Sequence, residues 1–332
     1  MKKHLLMAAV LAALLVLVGL AGLATGPYPF SLGDILRVLA GQEVPHGELI
    51  IQLRMPRVLL AFITGAVLSC GGFFMQALIK NPLADPYIMG VTAGAGLGVN
   101  LLILGLIPIA QFTLFTYPLF AALGAVLSLL VVLVLGFRLL YEDNARLLIA
   151  GVAVASLFTA ITGVLIYTLA DSDEVRRMIF WTFGSLHRAH WPAVYVSACL
   201  LLMALLYGFL FARRMDVLLL GDLDARSLGM RIIAFKLSLL LITSLTVGGI
   251  VAFTGPIGFV GMMIPHFSRS VLGAAHRPNI LLGSLAGGIF LCACDVLSQG
   301  LYPPAGLPIG IITAILGVPF FLYVLFSPNT YL

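Results

Sequence analysis

The stretch VLLAFITGAVLSCGGFFMQALI, Val58 to Ile79, runs without a charge between Arg57 and Lys80. Wound as an α-helix it is ~33 Å long, at about 1.5 Å per residue, and the hydrocarbon core of a bilayer is about 30 Å thick. In that solvent every backbone N–H and C=O must be satisfied internally, which leaves helices and closed barrels. Barrel strands alternate apolar and polar residues with a period of two, and this stretch does not. It reads as a membrane-spanning helix. Small residues recur along it, at Gly65-Ala66, Ser69 and Gly71-Gly72, and they let neighbouring helix backbones approach closely.

The remainder repeats the pattern. Of the 332 residues 61% are hydrophobic and 9% charged, against roughly 25% charged in an average soluble domain, so lipid is the solvent for most of the chain. Spans are expected at Leu5 to Gly26, Val58 to Ile79, Tyr87 to Ile107, Phe112 to Phe137, Leu147 to Ala170, Pro192 to Ala212, Ile232 to Phe253, Ile257 to Leu272, Ile280 to Leu297 and Leu307 to Phe326. The class is an all-α membrane protein of about ten transmembrane helices. An even number puts both termini on one side. With the N-terminus cytoplasmic, the inner loops hold Lys2, Lys3, Lys80, Arg138, Arg146, Arg213, Arg214, Arg226, Arg231, Lys236, Arg269 and Arg277, and the outer loops only Arg37, Arg54, Arg57, Arg176, Arg177 and Arg188. That asymmetry obeys the positive-inside rule. The net charge of +5 therefore reflects topology, and no nucleic-acid partner is needed to explain it.

The chain reads as one domain, residues 1–332, without a linker or a soluble module. Lys2-Lys3-His4 before an apolar run resembles a secretory signal peptide, but the run is longer than a usual signal core and more spans follow, so an uncleaved first helix is expected. Cys70, Cys199, Cys292 and Cys294 all lie inside expected spans and read as small packing residues, not as metal ligands. The largest polar inserts run from Pro27 to Arg57 and from Asp171 to Trp191 outside, and from Arg213 to Arg231 inside.

Transport against a gradient needs a source of energy. An ion-coupled secondary carrier keeps ionisable residues inside the membrane, and Asp295 is the one acidic candidate, near the outer end of its span. A self-contained ATPase needs G-x-x-x-x-G-K-[ST], and no lysine here follows a glycine. An intramembrane enzyme needs a nucleophile and a base, or paired metal ligands, facing each other; His266 has no acidic or histidine neighbour one turn away. If ATP drives this protein, the nucleotide site is on another chain and an inner loop receives the stroke. Asp216 to Arg231, DVLLLGDLDARSLGMR, fits: two short helical segments broken at Gly221 and closed by Gly229.

Several stretches in order resemble the FecCD family, the permeases of iron-siderophore, haem and cobalamin ABC importers. The most specific is RMPRVLLAFITGAVLSCGGFFMQALIKNPLADPYIMGVTAGAG from Arg54; LLIAGVAV, FWTFGSLHRAHW, LLLGDLDARSLGM, GPIGFVGMMIPHFSR with the HRP after it, and GLPIGIITAILGVPFFLYVL follow, to Phe326. The resemblance implies a type II ABC importer permease fold in a bacterial inner membrane, with both termini cytoplasmic. It implies a homodimer with the pathway at the two-fold interface, two cytoplasmic ATPase subunits that bind ATP and Mg, and a periplasmic substrate-binding protein. No cofactor is expected in this chain.

By matched position, Arg54 and Arg57 resemble the outer arginines that meet acidic knobs on the binding protein, and guanidinium suits carboxylate bidentately. Asn81 and Leu83 in NPLADP resemble the residues of the cytoplasmic gate, where Pro82 and Pro86 disfavour a helical continuation, and Asn144 resembles a second gate position. Residues 213–231 resemble the cytoplasmic coupling loop, with Gly221, Asp222, Asp224, Ala225, Arg226, Ser227, Leu228 and Gly229 pressing into the ATPase. Family members often carry an arginine and a glutamate where this chain has Gln299 and Gly306. His187 and His190 on the outer side, three apart, would share one face of a helix and are candidates to touch substrate. His266 is expected to be structural.

Overall fold

The computed structural model describes residues 2–108, 113–136 and 144–326. Arg138 and the side chain of Asn144 fall outside them. Among the described residues thirteen helices follow one another: α1 (Lys2–Ala24), α2 (Leu32–Leu39), α3 (Met55–Ile79), α4 (Val91–Ile103), α5 (Thr116–Gly136), α6 (Asn144–Leu169), α7 (Ser172–Thr182), α8 (Trp191–Leu219), α9 (Asp222–Ser227), α10 (Ile232–Thr254), α11 (Val260–Leu272), α12 (His276–Leu301) and α13 (Ile309–Phe326).

Each expected span coincides with a helix, though the helices differ in length. Seven are long and apolar enough to cross a membrane, α4 and α13 are shorter apolar helices, and α11 has 13 residues, only ~20 Å at about 1.5 Å per residue. The span expected from Ile257 therefore begins later than the hydropathy implies. Gly255 and Phe259 hold positive φ angles of 67° and 69°, and the chain between them is extended until the helix starts at Val260.

The sequence that decides the class also forms the centre. In the span containing α3, 83% of the most apolar window is buried, against 11% in α1, 17% in α6 and 22% in α8. Its neighbours are α12, α8, α11 and α10, so protein surrounds it on every side. The small residues make this possible. A side-chain carbon on Gly65 would collide with the carbonyl of Gly287 on α12, and one on Gly72 with the carbonyl of Gly261 on α11. Beside these crossings the Ser69 hydroxyl donates to Gly283 O at 3.0 Å, and Phe73, Phe74 and Met75 are fully buried. The same device joins α4 to α5, where Gly94 meets Gly124.

Around this centre α1 lies on α12, and α5 packs against α4 and α10. The outward faces of α6 and α13 are apolar, with Ile149, Val152, Val164, Ile315 and Phe326 exposed. In water such a surface would drive aggregation; here lipid or another copy of the chain covers it.

The crossing at Gly72 gives a direct test. Gly72→Ala forces α3 and α11 apart and is expected to cost about 1–3 kcal/mol, the usual range for overpacking, seen as a lower Tm in detergent. Gly19→Ala in α1, with nothing near the added carbon, should leave Tm unchanged or raise it, since alanine is the better helix former. An unchanged Tm in Gly72→Ala would mean that the helices have room to spare.

Candidate functional site

Two polar regions close the ends of the bundle. At the end that the expected orientation makes the outer one, the chain enters α3 through a π turn, Ile50–Arg54. This turn aims Arg54 back at α1. Its guanidinium donates to Leu23 O at 2.7 Å, to Ala24 O at 2.9 Å and to Tyr28 O, and lies 4.7 Å from the centre of the Phe30 ring. Carbonyls at a helix C-terminus lack partners within the helix, and Arg54 supplies them for α1. With 9% of its surface exposed, it holds α1 to α3 and offers no open fork to another protein.

Arg57, one turn on, pairs with Asp295 on α12 through Nε at 2.9 Å and Nη2 at 2.8 Å. Gln299 donates to the same carboxylate at 3.0 Å. Asp295 is thus the partner of an arginine, as a helix-end acid should be. Arg57 Nη1 lies 3.2 Å from His187 Nδ1; arginine is only a donor, so Nδ1 accepts and the neutral ring carries its proton on Nε2. Burial first, then the charge of Arg57, hold this imidazole below its ordinary pKa, with Asp295 pulling the other way.

His187 and His190 do not share a helical face. Gly184 turns the chain at φ 68°, residues 184–190 are not helical, and α8 begins only at Trp191 with Pro192 in its first turn. His190 is the N-cap, its Nδ1 accepting from Ala193 N–H at 3.1 Å. Both histidines nevertheless line one outer cavity of about 440 Å³ with Arg176, Arg177, Arg188, Tyr117 and Trp181. The Arg188 guanidinium stands 5.3 Å from the centre of the Tyr117 ring. Among the described residues no acidic one lines the cavity. It is basic and aromatic, and the separate roles of its arginines are invisible in sequence because α7 and the following loop bring them together.

At the inner end the NPLADP loop is rigid for local reasons. Lys80 caps α3 in the left-handed region at φ 56°, the Asn81 side chain accepts from Leu83 N–H at 2.9 Å, and Asp85 accepts from Tyr87 N–H at 2.8 Å. Pro86 then opens a 3-10 turn. The Tyr87 hydroxyl both accepts from Ile257 N–H and donates to Ile257 O, each at 3.0 Å, which ties this loop to the extended segment before α11. Asn144 begins α6, with its side chain outside the described residues.

The segment expected to form the coupling loop differs from the expectation of two short segments. Residues 213–219 continue α8 without a break, because arginine, methionine and leucine favour helix and no breaker intervenes before Gly221. One separate helix remains, α9, between Gly221 at φ 131° and Gly229 at φ 80°. Ala225 is buried, whereas Leu223 and Leu228 are 80% and 67% exposed. Asp222, the first residue of α9, accepts from Lys80 Nζ at 2.7 Å and from Lys236 Nζ at 2.6 Å. Burial pushes its carboxyl up, but the hydrogen bonds of the two lysines outweigh that and hold it below the ordinary aspartate range. Nearby, Asp216 pairs with His276 at 2.7 Å. The sequence gives no clue to the Asp222 pairs, whose partners stand 142 and 14 positions away.

The sequence and the fold are both similar to those of known proteins. The FecCD transport family profile matches residues 14–327. The hemin transport system permease protein HmuU of Yersinia pestis is 35% identical over 96% of this chain and 95% of its own length. The Fe(3+) dicitrate transport system permease protein FecD of Escherichia coli is 33% identical over 86% and 87%. An inward-facing structure of an ABC transporter assigned to the metal-chelate type superposes with a TM-score of 0.82 at 28% identity, covering 94% of this chain and 96% of that one. This chain belongs to the FecCD transport family and is a membrane-spanning permease subunit of an ABC transporter.

Proposed function

We propose that this permease carries a metal chelate (an iron-siderophore, haem or cobalamin) from the periplasm into the cytoplasm of a bacterium, as a homodimer driven by two separate ATPase subunits that hold ATP and Mg. The observation that carries the reading is α9. Its Leu223 and the Leu228 after it project from a six-residue helix outside every span. Lipid does not reach them, and leaving leucine in water costs free energy, so a protein on that side covers them. The termini lie on the same side, in the cytoplasm, as the excess of inner arginine and lysine favours. The exposed apolar faces of α6 and α13 meet their copies, and Ser156 and Thr159 on α6 line a pathway narrowed below by Asn81, Leu83 and Asn144.

A periplasmic substrate-binding protein docks outside. Arg54 has no share in this, being spent on α1. Arg57 contributes from beside His187, and the arginines of the basic cavity, Arg176, Arg177 and Arg188, supply most of the attraction for acidic side chains. His187 and His190 stand where a released chelate would first pass, but each already serves a protein partner. An ion-coupled carrier is the weaker reading, since Asp295 is held by Arg57 and Gln299.

Liposomes carrying the chain alone and with its ATPase, binding protein and chelate outside, test the whole reading: uptake should require the ATPase and ATP. Ion-driven uptake by the lone chain would sink it. Leu228→Glu should leave insertion intact while lowering co-purification of the ATPase or the uptake obtained per ATP; normal values of both would put the contact on another loop. Arg176→Glu combined with Arg188→Glu should weaken binding-protein affinity at low salt by several fold, since rim pairs contribute about 0.2–1 kcal/mol each, with a smaller effect at high salt. Equal affinity at both salts would assign docking to other residues.

A further inference from the structure

The short helix that faces the ATPase is joined to the expected gate by one carboxylate. Asp222 has its oxygens divided between two lysines: Oδ1 lies 2.7 Å from Lys80 Nζ and Oδ2 lies 2.6 Å from Lys236 Nζ. The three residues belong to three elements. Asp222 opens α9, Lys80 caps the C-terminus of the central helix α3, and Lys236 stands in the second turn of α10 with 1% of its side chain exposed. Each charge suits its place, the acid at a helix N-terminus and Lys80 at a helix C-terminus.

Lys80 is followed at once by Asn81, Pro82 and Leu83. Little in this segment absorbs a displacement. Pro82 has a fixed φ, and the Asn81 side chain closes onto Leu83 N–H. On the other side, α9 presents Leu223 and Leu228 outward while Asp222 and the buried Ala225 face the body. A push on the leucines therefore reaches Lys80 through Asp222, and reaches Leu83 through two further residues of stiff backbone. Lys236 gives the carboxylate a fixed point on a spanning helix, so that α9 pivots instead of sliding.

We propose that Asp222 and Lys80 form a latch that transmits the ATPase stroke from α9 to the NPLADP gate, with Lys236 as its anchor. Both act as positioning residues. The proposal rests on the reading of α9 as the ATPase contact, and its test separates the two.

The test uses the complete complex with ATPase and binding protein in liposomes, measuring ATPase co-purification, ATP hydrolysis and chelate uptake. Lys80→Gln removes one charge-assisted bond from the latch and leaves Asp222 with Lys236. Co-purification and Tm should stay at wild-type values while uptake per ATP falls about tenfold, the factor expected from a bond of this kind. Lys80→Arg, which keeps the charge and the donor, should restore coupling to within about twofold. A loss confined to folding would lower Tm and uptake together without changing uptake per ATP, and would overturn the latch. So would wild-type coupling in Lys80→Gln, or loss of co-purification in that variant, which would make Lys80 a docking residue. If the wild-type chain itself fails to retain the ATPase or to show ATP-dependent uptake, the reading of α9 fails.

Discussion

Close packing of glycine against backbone carbonyl around α3 is the constraint on which the rest of the structure depends. In lipid the apolar side chains gain nothing by leaving hydrocarbon for one another, so association of helices rests on contact, and contact is best where backbones approach. Gly65 with Gly287 and Gly72 with Gly261 bring three helices to that distance, and the filling residues Phe73, Phe74 and Met75 have no exposed surface. Once α3 is fully surrounded, its two ends are forced to carry the polar groups that the spans exclude, and both candidate regions are built there.

Several charges at those ends are paired within the chain. At the outer end Arg54 closes the open carbonyls of α1, and Arg57 is held by Asp295. At the inner end Lys80 and the buried Lys236 share Asp222. Burying an ammonium group without a partner is expensive, which is reason enough for Asp222 to stand where it does. Arg176, Arg177 and Arg188 around the basic cavity are exposed.

The class and the spans were legible because hydropathy and small-residue spacing act along one helix: Val58 to Ile79 and Gly65, Gly71 and Gly72 mean the same thing in sequence and in space. The segment from Asp216 to Arg231 was legible in part. Gly221 and Gly229 bound a helix as expected, since both positions need positive φ, but residues 213–219 continue α8. The outer amphipathic helices α2 and α7 went unread, although Ser31 with Asp34 and Asp171 with Glu174 form capping boxes at the spacing that marks a helix start. The contacts of Arg54 were hidden for a different reason. Its sequence neighbours do not reveal that a π turn rotates it toward α1, a chain segment thirty residues away. Pairs such as Asp222 with Lys80 need the fold before they exist at all.

The two departures from the family pattern have structural counterparts. Gln299 lies one turn after Asp295 and donates to it, so an uncharged residue here adds a second donor to a carboxylate that Arg57 already neutralises. Gly306 holds φ at 69°, its N–H donating to Tyr302 O, while the next residue, Leu307, donates to Ser298 O at 3.0 Å and accepts from the Ser298 hydroxyl. A glutamate in that left-handed conformation would be strained. The segment from Tyr302 to Leu307 is thereby folded back on α12 through backbone bonds, and the outer rim on that side is fixed by hydrogen bonding to the chain itself. The three exposed arginines Arg176, Arg177 and Arg188 stand on other elements, α7 and the loop after it, and take no part in those bonds.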